Sequence, residues 1–384
     1  MTNLLAPLQS LKQGHWFKLI CGASYQHLPA VRSLALAYTL AGADCIDVAA
    51  DPAVINAVKE ALLVAKNLGQ DAQKRGFDYK GNLPLLMVSL NDGEDPHFRK
   101  AQFDPSCCPP GCPRPCEKIC PAQAIVFKSI DNDFSGVIAQ KCYGCGRCLP
   151  VCPYSIIYTD SYVSTPRAIA PLIMSTGVDA IEIHTQVGRL AEFERLWQAI
   201  APWSHQLKLV AVSCPDGEGL IDYLQAIYHL IVPRPPILIW QTDGRPMSGD
   251  IGDGTTIATV KLGQKVLAAN LEGYVQLAGG TNSYTVAKLK AMGLLPKCKD
   301  ERDWEEKPSH ISGIAYGSYA RVLLSPIIEQ LEKKEVSNTS VKATLHLEQE
   351  PELLWQAVEL AHSLVSQLKS QRSLIARSSL KTSP

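Results

Sequence analysis

Nine of the thirteen cysteines in this chain lie between residues 107 and 152, and this clustering constrains the fold more than any other feature. Secreted proteins that depend on disulfides are usually short and spread their cysteines along the chain. This chain has 384 residues, and its first eighteen lack the basic and then apolar pattern of a secretory signal. The clustering therefore predicts a metal site in a cytoplasmic protein.

The second half of the cysteine-rich region has the spacing of bacterial ferredoxins. The pattern Cys-x2-Cys-x2-Cys-x3-Cys-Pro falls on Cys142, Cys145, Cys148, Cys152 and Pro153. In two-cluster ferredoxins with this spacing, the first three thiolates bind one cluster and the fourth binds the neighbouring cluster. Zinc is the alternative, but zinc takes four ligands that usually come as two separated pairs. The spacing therefore favours cubane [4Fe–4S] clusters.

The first half of the region is a looser copy of the second. It ends in the same Cys-x3-Cys-Pro pattern, but its earlier intervals are three residues instead of two. An internal repeat of this kind predicts two clusters. By the crossover rule, cluster one takes Cys120, Cys142, Cys145 and Cys148. Cluster two takes Cys108, Cys112, Cys116 and Cys152. Cys107 is the alternative to Cys108, and the wider spacing leaves a [3Fe–4S] form open at cluster two.

Outside this region, short apolar runs alternate with amphipathic stretches of helical length. Eight such strand–helix units over roughly 260 residues match the size of a (β/α)8 barrel. An open doubly wound α/β sheet shows the same alternation and is the alternative. The count of eight favours the barrel. The predicted strands are Phe17–Ala23, Cys45–Ala49, Leu85–Leu90, Ala180–Thr185, Lys208–Ser213, Ile237–Gln241, Tyr274–Ala278 and Ile311–Tyr316.

The predicted chain organisation has four parts. Residues 15–103 form the first part of the barrel with three strands, and residues 104–162 form the inserted ferredoxin-like module. Residues 163–332 form the second part of the barrel, with strands four to eight. Residues 333–384 form a tail with one amphipathic helix, Pro351–Gln371, and a disordered end rich in Ser and Lys.

Strand alternation places several charged side chains on the inner face of the barrel. These are Lys18, Asp47, Glu182 and His184. Two interpretations are open for this group. A structural polar layer with a buried ion pair is favoured, and a proton-transfer site is the alternative.

Glycines follow the last two predicted strands, where barrels commonly bind phosphate groups. The residues concerned are Gly279, Gly280, Thr281, Asn282, Gly317, Ser318 and Arg321. Backbone N–H groups and the Arg321 guanidinium would bind the phosphate of flavin mononucleotide (FMN) there. The alternative is that these glycines only turn the chain.

Four segments, together with the double cysteine motif between them, carry a resemblance to a known family. They read Leu-Ile-Cys-Gly-Ala-Ser at 19–24, Ala-Gly-Ala-Asp-Cys-Ile-Asp-Val-Ala-Ala at 41–50, Leu-Ala-Gly-Gly-Thr-Asn at 277–282 and Gly-Ile-Ala-Tyr-Gly-Ser-Tyr-Ala-Arg at 313–321. The chain resembles the cyanobacterial light-dependent period proteins, except in the tail after about residue 333. The resemblance implies an iron–sulfur redox sensor that adjusts the circadian period to light. It also implies association with clock oscillator and input-kinase proteins, and it assigns the cluster ligands to the cysteines from 107 to 152.

Two functions follow as hypotheses. The favoured one is a non-catalytic redox-sensing regulator, with quinones among the redox-active small molecules it would respond to. The alternative is an iron–sulfur oxidoreductase that uses FMN in the barrel. Lysine plus arginine equals aspartate plus glutamate, 37 against 37, so the net charge predicts no nucleic-acid partner. No apolar run reaches the roughly 18 residues that a membrane span needs.

Overall fold

The computed structural model describes most of the chain. The described residues are 6–22, 28–77, 79, 81–93, 99–120, 122–128, 134–139, 141–142, 148–161, 166–244, 254–296, 309–337 and 345–369. Numbered along the chain, the strands are β1 (Trp16–Ile20), β2 (Cys45–Ala49), β3 (Leu85–Asn91), β4 (Arg99–Gln102), β5 (Ile125–Val126), β6 (Gly136–Val137), β7 (Tyr158–Ser161), β8 (Ala180–His184), β9 (Leu209–Pro215), β10 (Leu238–Asp243), β11 (Tyr274–Ala278) and β12 (Gly313–Tyr316). The helices are α1 (Ala6–Lys12), α2 (Leu28–Leu40), α3 (Pro52–Lys74), α4 (Pro115–Ile119), α5 (Cys148–Val151), α6 (Pro166–Met174), α7 (Leu190–Ile200), α8 (Leu220–Leu230), α9 (Thr255–Ala268), α10 (Thr285–Ala291), α11 (Ser318–Ser337) and α12 (Pro351–Lys369).

Eight of the strands close into one parallel barrel, in the order β1-β12-β11-β10-β9-β8-β3-β2. Closure is seen in β1, where Lys18 is in register with Cys45 of β2 on one side and Ala315 of β12 on the other. The predicted barrel is confirmed, and the open sheet is wrong. The first strand ends at Ile20 and not at Ala23, because Gly22 leaves the extended conformation with φ of +100°.

The amino-terminal end of the barrel is filled by apolar side chains. Trp16 of β1 and Leu11 of the unpredicted helix α1 are buried there together with residues of β2, β3, β8, β9 and β10. Gly313 makes room for the Trp16 ring, since a Cβ at this glycine would lie 2.6 Å from Trp16 Cβ. The lumen is therefore closed at this end by packed side chains, and only the carboxyl end is left for a site.

The cysteine-rich insert follows β3, on the carboxyl side of the barrel where active sites of this fold lie. It contains two antiparallel ribbons, β4 with β7 and β5 with β6, and two short helices, α4 and α5. Arg99 pairs with Ser161 and Gln102 with Tyr158. The first ribbon therefore starts before residue 104, where the sequence analysis placed the boundary of the module.

The tail helix α12 packs against α2 and α11 on the outside of the barrel, and it ends at Lys369 within the described residues. Arg32 of α2 makes a two-pronged contact with Glu348, with N–O distances of 2.8 and 2.6 Å. The Lys369 ammonium lies 2.8 Å from Asp44 before β2. The tail is thus part of the folded domain. Across the described ranges, none of the helices combines the length and apolar character of a membrane-spanning segment.

Replacing Arg32 with alanine should lower the free energy of unfolding by about 1.5–3 kcal/mol, because the largely buried Glu348 carboxylate loses two charge-assisted hydrogen bonds. Lys334→Ala is the matched control, since Lys334 is exposed and its ion pair with Glu350 is worth less than about 1 kcal/mol. Urea unfolding of both variants measures the difference. Equal losses of unfolding free energy in the two variants would show that the contact between Arg32 and Glu348 does not stabilise the packing of the tail.

Candidate metal centre and barrel site

The two halves of the insert place their cysteines on equivalent elements. Cys116 lies in α4, and Cys148 is the first residue of α5. Both side chains are buried, as is Cys142. Cys107 is exposed, and its backbone N–H donates to Asp104 O at 3.1 Å. Cys145 lies outside the described residues. The buried cysteines therefore include members of both predicted ligand sets.

The internal repeat extends to the backbone conformation. Gln123 and Ser155 each lie three residues after the last cysteine of their half, and they have φ values of +48° and +52°. Left-handed φ values are uncommon outside glycine. The N–H of each residue donates back to the carbonyl of that cysteine, Cys120 at 3.1 Å and Cys152 at 3.2 Å. The two halves thus turn in the same way after their final cysteine.

Backbone N–H groups point at several of the sulfurs. Ala101 N donates to Cys142 Sγ at 3.4 Å, and Ala124 N donates to Cys120 Sγ at 3.2 Å. A similar bond joins Arg114 N to Cys112 Sγ at 3.4 Å. Such hydrogen bonds stabilise negative charge on a thiolate or on a cluster that it holds.

The last cysteine of the second half is also surrounded by donors. Burial alone would raise the pKa of the Cys152 thiol, but backbone hydrogen bonds outweigh this effect and hold it below its usual value. The donors are Tyr154, Ser155, Ile156 and Ile157. The turn after Cys152 therefore favours the thiolate, which is the form that binds iron.

Cys108 and Cys116 of the first half each interact electrostatically with Cys152 of the second half. Burial raises the pKa of the Cys108 thiol, and the neighbouring thiols of Cys112 and Cys152 raise it further. Burial also raises the pKa of the Cys116 thiol, and the Cys152 and Cys108 thiols add to this increase. Cys152 is therefore near enough to influence the thiols of Cys108 and Cys116, which is compatible with a crossed arrangement.

The surroundings of the cysteines fit an iron–sulfur cluster. Apolar side chains pack around Cys116, Cys142 and Cys148, namely Ala101, Phe103, Ala124, Ile125, Phe127 and Ile157. Among the described residues, no three His, Cys, Asp or Glu side chains converge closely enough to share one metal ion. Thiolates that bind different irons of a cluster do not need that closeness. The fit accordingly depends on the N–H donors and the apolar shell, and the ligand set stays a prediction.

The lumen of the barrel holds a buried network centred on Lys18. Its ammonium lies 3.0 Å from Asp47 Oδ2 and also contacts Glu182 Oε2. A third contact joins it to Gln241 Oε1 at 3.1 Å. Lys18 is buried, and two carboxylates balance its charge here. The predicted inward orientation of Lys18, Asp47 and Glu182 is confirmed.

Side chains of β9, β10 and β11 extend this network. Gln241 donates from Nε2 to Glu182 Oε1 at 2.6 Å and to Ser213 Oγ at 3.0 Å. Gln276 donates to Gln241, and its own Oε1 accepts from Trp16 at 2.6 Å. The sequence analysis missed Gln241 and Ser213. Alternation along β10 was the available signal, because Gln241 shares a strand face with the lumen residue Ile239.

His184 connects the network to the carboxyl end of the barrel. Its Nε2 lies 3.0 Å from Glu182 Oε1, and its side chain is 36% exposed, whereas those of Lys18, Asp47 and Glu182 are buried. Burial alone would lower the pKa of His184, but the Glu182 charge and hydrogen bond raise it above its usual value. The geometry fits the structural interpretation, since Lys18 is buried and its charge is paired with two carboxylates.

In the predicted phosphate cradle after β11, the polar side chains form hydrogen bonds with other residues of the protein. Thr281 Oγ1 donates to Ala315 O at 2.7 Å, and the buried Asn282 accepts from Thr256 Oγ1 at 2.9 Å. A Cβ at Gly280 would lie 3.0 Å from Thr255 O. Gly279 and Gly280 have φ values of +64° and +89° and turn the chain against α9.

The second part of that cradle lies at the start of α11. Arg321 donates to Ile20 O at 3.0 Å and to Ser318 Oγ at 3.0 Å. A Cβ at Gly317 would lie 3.4 Å from Arg321 Nη1. These residues are close together, but the guanidinium is already engaged by the protein, so phosphate or FMN binding stays a prediction.

Comparison with known proteins gives a consistent result over most of the chain. The sequence model of the family described as "Light dependent period A C-terminal domain" matches residues 172–367, and that described as "LdpA Fe-S cluster-binding domain" matches residues 108–163. A curated relative, "Light dependent period A" from Synechococcus elongatus, is 47% identical over 364 residues, which cover 94% of each chain.

Two solved structures share weaker likenesses. (S)-3-O-geranylgeranylglyceryl phosphate synthase from Thermoplasma acidophilum has a TM-score of 0.38 and 14% identity, over 96% of this chain and 99% of that one. Tryptophan synthase from Mycobacterium tuberculosis has a TM-score of 0.37 and 12% identity, over 95% and 99% of the two chains. The barrel assignment rests on strand pairing and not on these likenesses.

Proposed function

This chain belongs to the light-dependent period A family and is an iron–sulfur protein, and from that premise we propose that it is a redox-sensing regulator. In this proposal it adjusts the circadian period to light through the redox state of the cell, and it associates with clock oscillator and input-kinase proteins. Iron–sulfur clusters take up and release single electrons at potentials set by their surroundings.

The proposal includes two [4Fe–4S] clusters bound in a crossed arrangement. The observation that supports it is the ferredoxin-like cysteine spacing, together with the electrostatic interaction of Cys152 with Cys108 and Cys116 of the other half. Cluster one would use Cys120, Cys142, Cys145 and Cys148, and cluster two would use Cys108, Cys112, Cys116 and Cys152. Cys107 is left out of the proposed ligand set, because it is exposed and contacts Asp104.

The contacts in the barrel support a regulator over an FMN-dependent oxidoreductase. Lys18 is buried and forms ion pairs with Asp47 and Glu182, and the Arg321 guanidinium donates to Ile20 O and Ser318 Oγ. A catalytic lumen would need groups that turn towards a substrate. A yellow chromophore released when the protein is denatured would favour the oxidoreductase instead.

Oxidation should alter one cluster before the other, because the wider cysteine spacing of the first half gives cluster two a less regular loop. Titration with a quinone, followed by electron paramagnetic resonance (EPR), should show a three-iron signal from cluster two while cluster one is unchanged. Cys107→Ser is the matched control and should behave like the wild type. Two clusters that do not respond would contradict a sensing role.

A further inference from the structure

Lys100 of β4 joins the cysteine module to the barrel. Its ammonium lies 3.4 Å from Asp51 Oδ2 and 2.5 Å from Ala139 O. The Lys100 side chain is 15% exposed and that of Asp51 is 8% exposed, so solvent and salt screen this ion pair less than one at the surface. The two partners belong to different parts of the fold, since Asp51 follows β2 of the barrel and Ala139 lies in the module.

Asp51 controls the start of the long helix α3. Its Oδ1 accepts from Ala53 N at 2.8 Å, which caps the helix, and its own N–H donates to Ala49 O at the end of β2 at 2.8 Å. One carboxylate oxygen thus holds α3 and the other faces Lys100. A change in how strongly Lys100 holds Asp51 would therefore act on the first turn of α3.

On the module side, Lys100 contacts the segment that leads to Cys142. Ala139 lies three residues before Cys142, and Cys142 N donates to Ile138 O at 3.1 Å. The residue after Lys100 also reaches this site, because Ala101 N donates to Cys142 Sγ at 3.4 Å. Lys100 therefore lies between the Asp51 carboxylate and the segment that carries a proposed ligand of cluster one.

We propose that Lys100 is a positioning residue that transmits the charge of the Cys142 site to the beginning of α3. This inference rests on the proposed function. When the Cys142 site carries an additional negative charge, Lys100 is drawn towards it and holds Asp51 less strongly. The coupling is reciprocal, so the charges on Lys100 and Asp51 also set how readily the Cys142 site accepts an electron.

The first test uses opposite charge changes at the two partners. Lys100→Met should lower the midpoint potential of cluster one, because it removes a positive charge that favours reduction. Asp51→Asn should raise that potential, and asparagine keeps the helix cap. Lys100→Arg should stay near the wild-type value. The proposal would be overturned if Lys100→Met and Asp51→Asn shifted the midpoint potential in the same direction. It would also be overturned if neither variant shifted the potential while the iron content stayed unchanged.

The second test follows the helix itself. In the wild type, hydrogen exchange of the amides at 53–56 should be faster in the reduced protein than in the oxidised protein. This difference should disappear in Lys100→Met, while α8 should exchange equally in both redox states. If EPR shows reduction but exchange at 53–56 does not change, the coupling is wrong and the sensing function stands. If the clusters do not respond to reductant or oxidant, both fail.

Discussion

Cys152→Ala and Cys120→Ala are each expected to lower bound iron from about eight to about four atoms per chain, and to remove different clusters. Cys152 lies at the end of the second half but interacts with Cys108 and Cys116 of the first half. Its loss should therefore destroy cluster two. Cys120, whose sulfur accepts from Ala124 N, should be needed for cluster one.

The pattern of EPR spectra identifies the crossed arrangement. The signal that remains in Cys152→Ala should match that of Cys116→Ala, and the signal that remains in Cys120→Ala should match that of Cys148→Ala. Cys214→Ala is the control, since this buried cysteine lies in β9 and should leave both signals intact. If Cys152→Ala instead matched Cys148→Ala, each half would bind its own cluster and the proposed ligand sets would be wrong.

Lys18→Met is expected to lower the free energy of unfolding by about 3–5 kcal/mol, because it leaves two buried carboxylates without their cation. Burial raises the pKa of Asp47, and the charge of Glu182 adds to this effect, whereas Lys18 opposes it. For Glu182, burial would raise the pKa, but Lys18 and His184 lower it below the usual value. Both carboxylates therefore depend on Lys18.

Two controls separate the charge effect from other causes. Lys18→Met combined with Asp47→Asn and Glu182→Gln should recover most of the lost stability, because no charge is then left unpaired next to position 18. Lys208→Met removes a partly exposed ion pair with Asp179 and should cost less than about 1 kcal/mol. Urea unfolding measures all three variants. A Lys18→Met effect as small as that of Lys208→Met would show that the lumen pair is not a structural centre.

Sequence periodicity was sufficient for the scaffold and for most of the lumen. The apolar run at Cys45–Ala49 predicted the bounds of β2, which the structure confirms. Strand alternation pointed Lys18 and Glu182 inward. The contacts of the residues after β11 were harder to predict, since the sequence indicates the glycines and the helix α9 but not that α9 packs against them.

Contacts between distant segments left no periodic signal. Lys100 and Asp51 lie on opposite sides of the junction between the barrel and the insert, and Arg32 and Glu348 come from opposite ends of the chain. Only the closed barrel and the docked tail bring these pairs together. The crossed role of Cys152 stays a prediction, which follows from a spacing that is shared with ferredoxins of known chemistry.

The most direct measurement is the quantity of iron, acid-labile sulfide and zinc in the full chain purified without oxygen. Two clusters predict about eight irons and about eight sulfides per chain, with zinc absent. Zinc at one or more atoms per chain, or fewer than about four irons, would contradict the account.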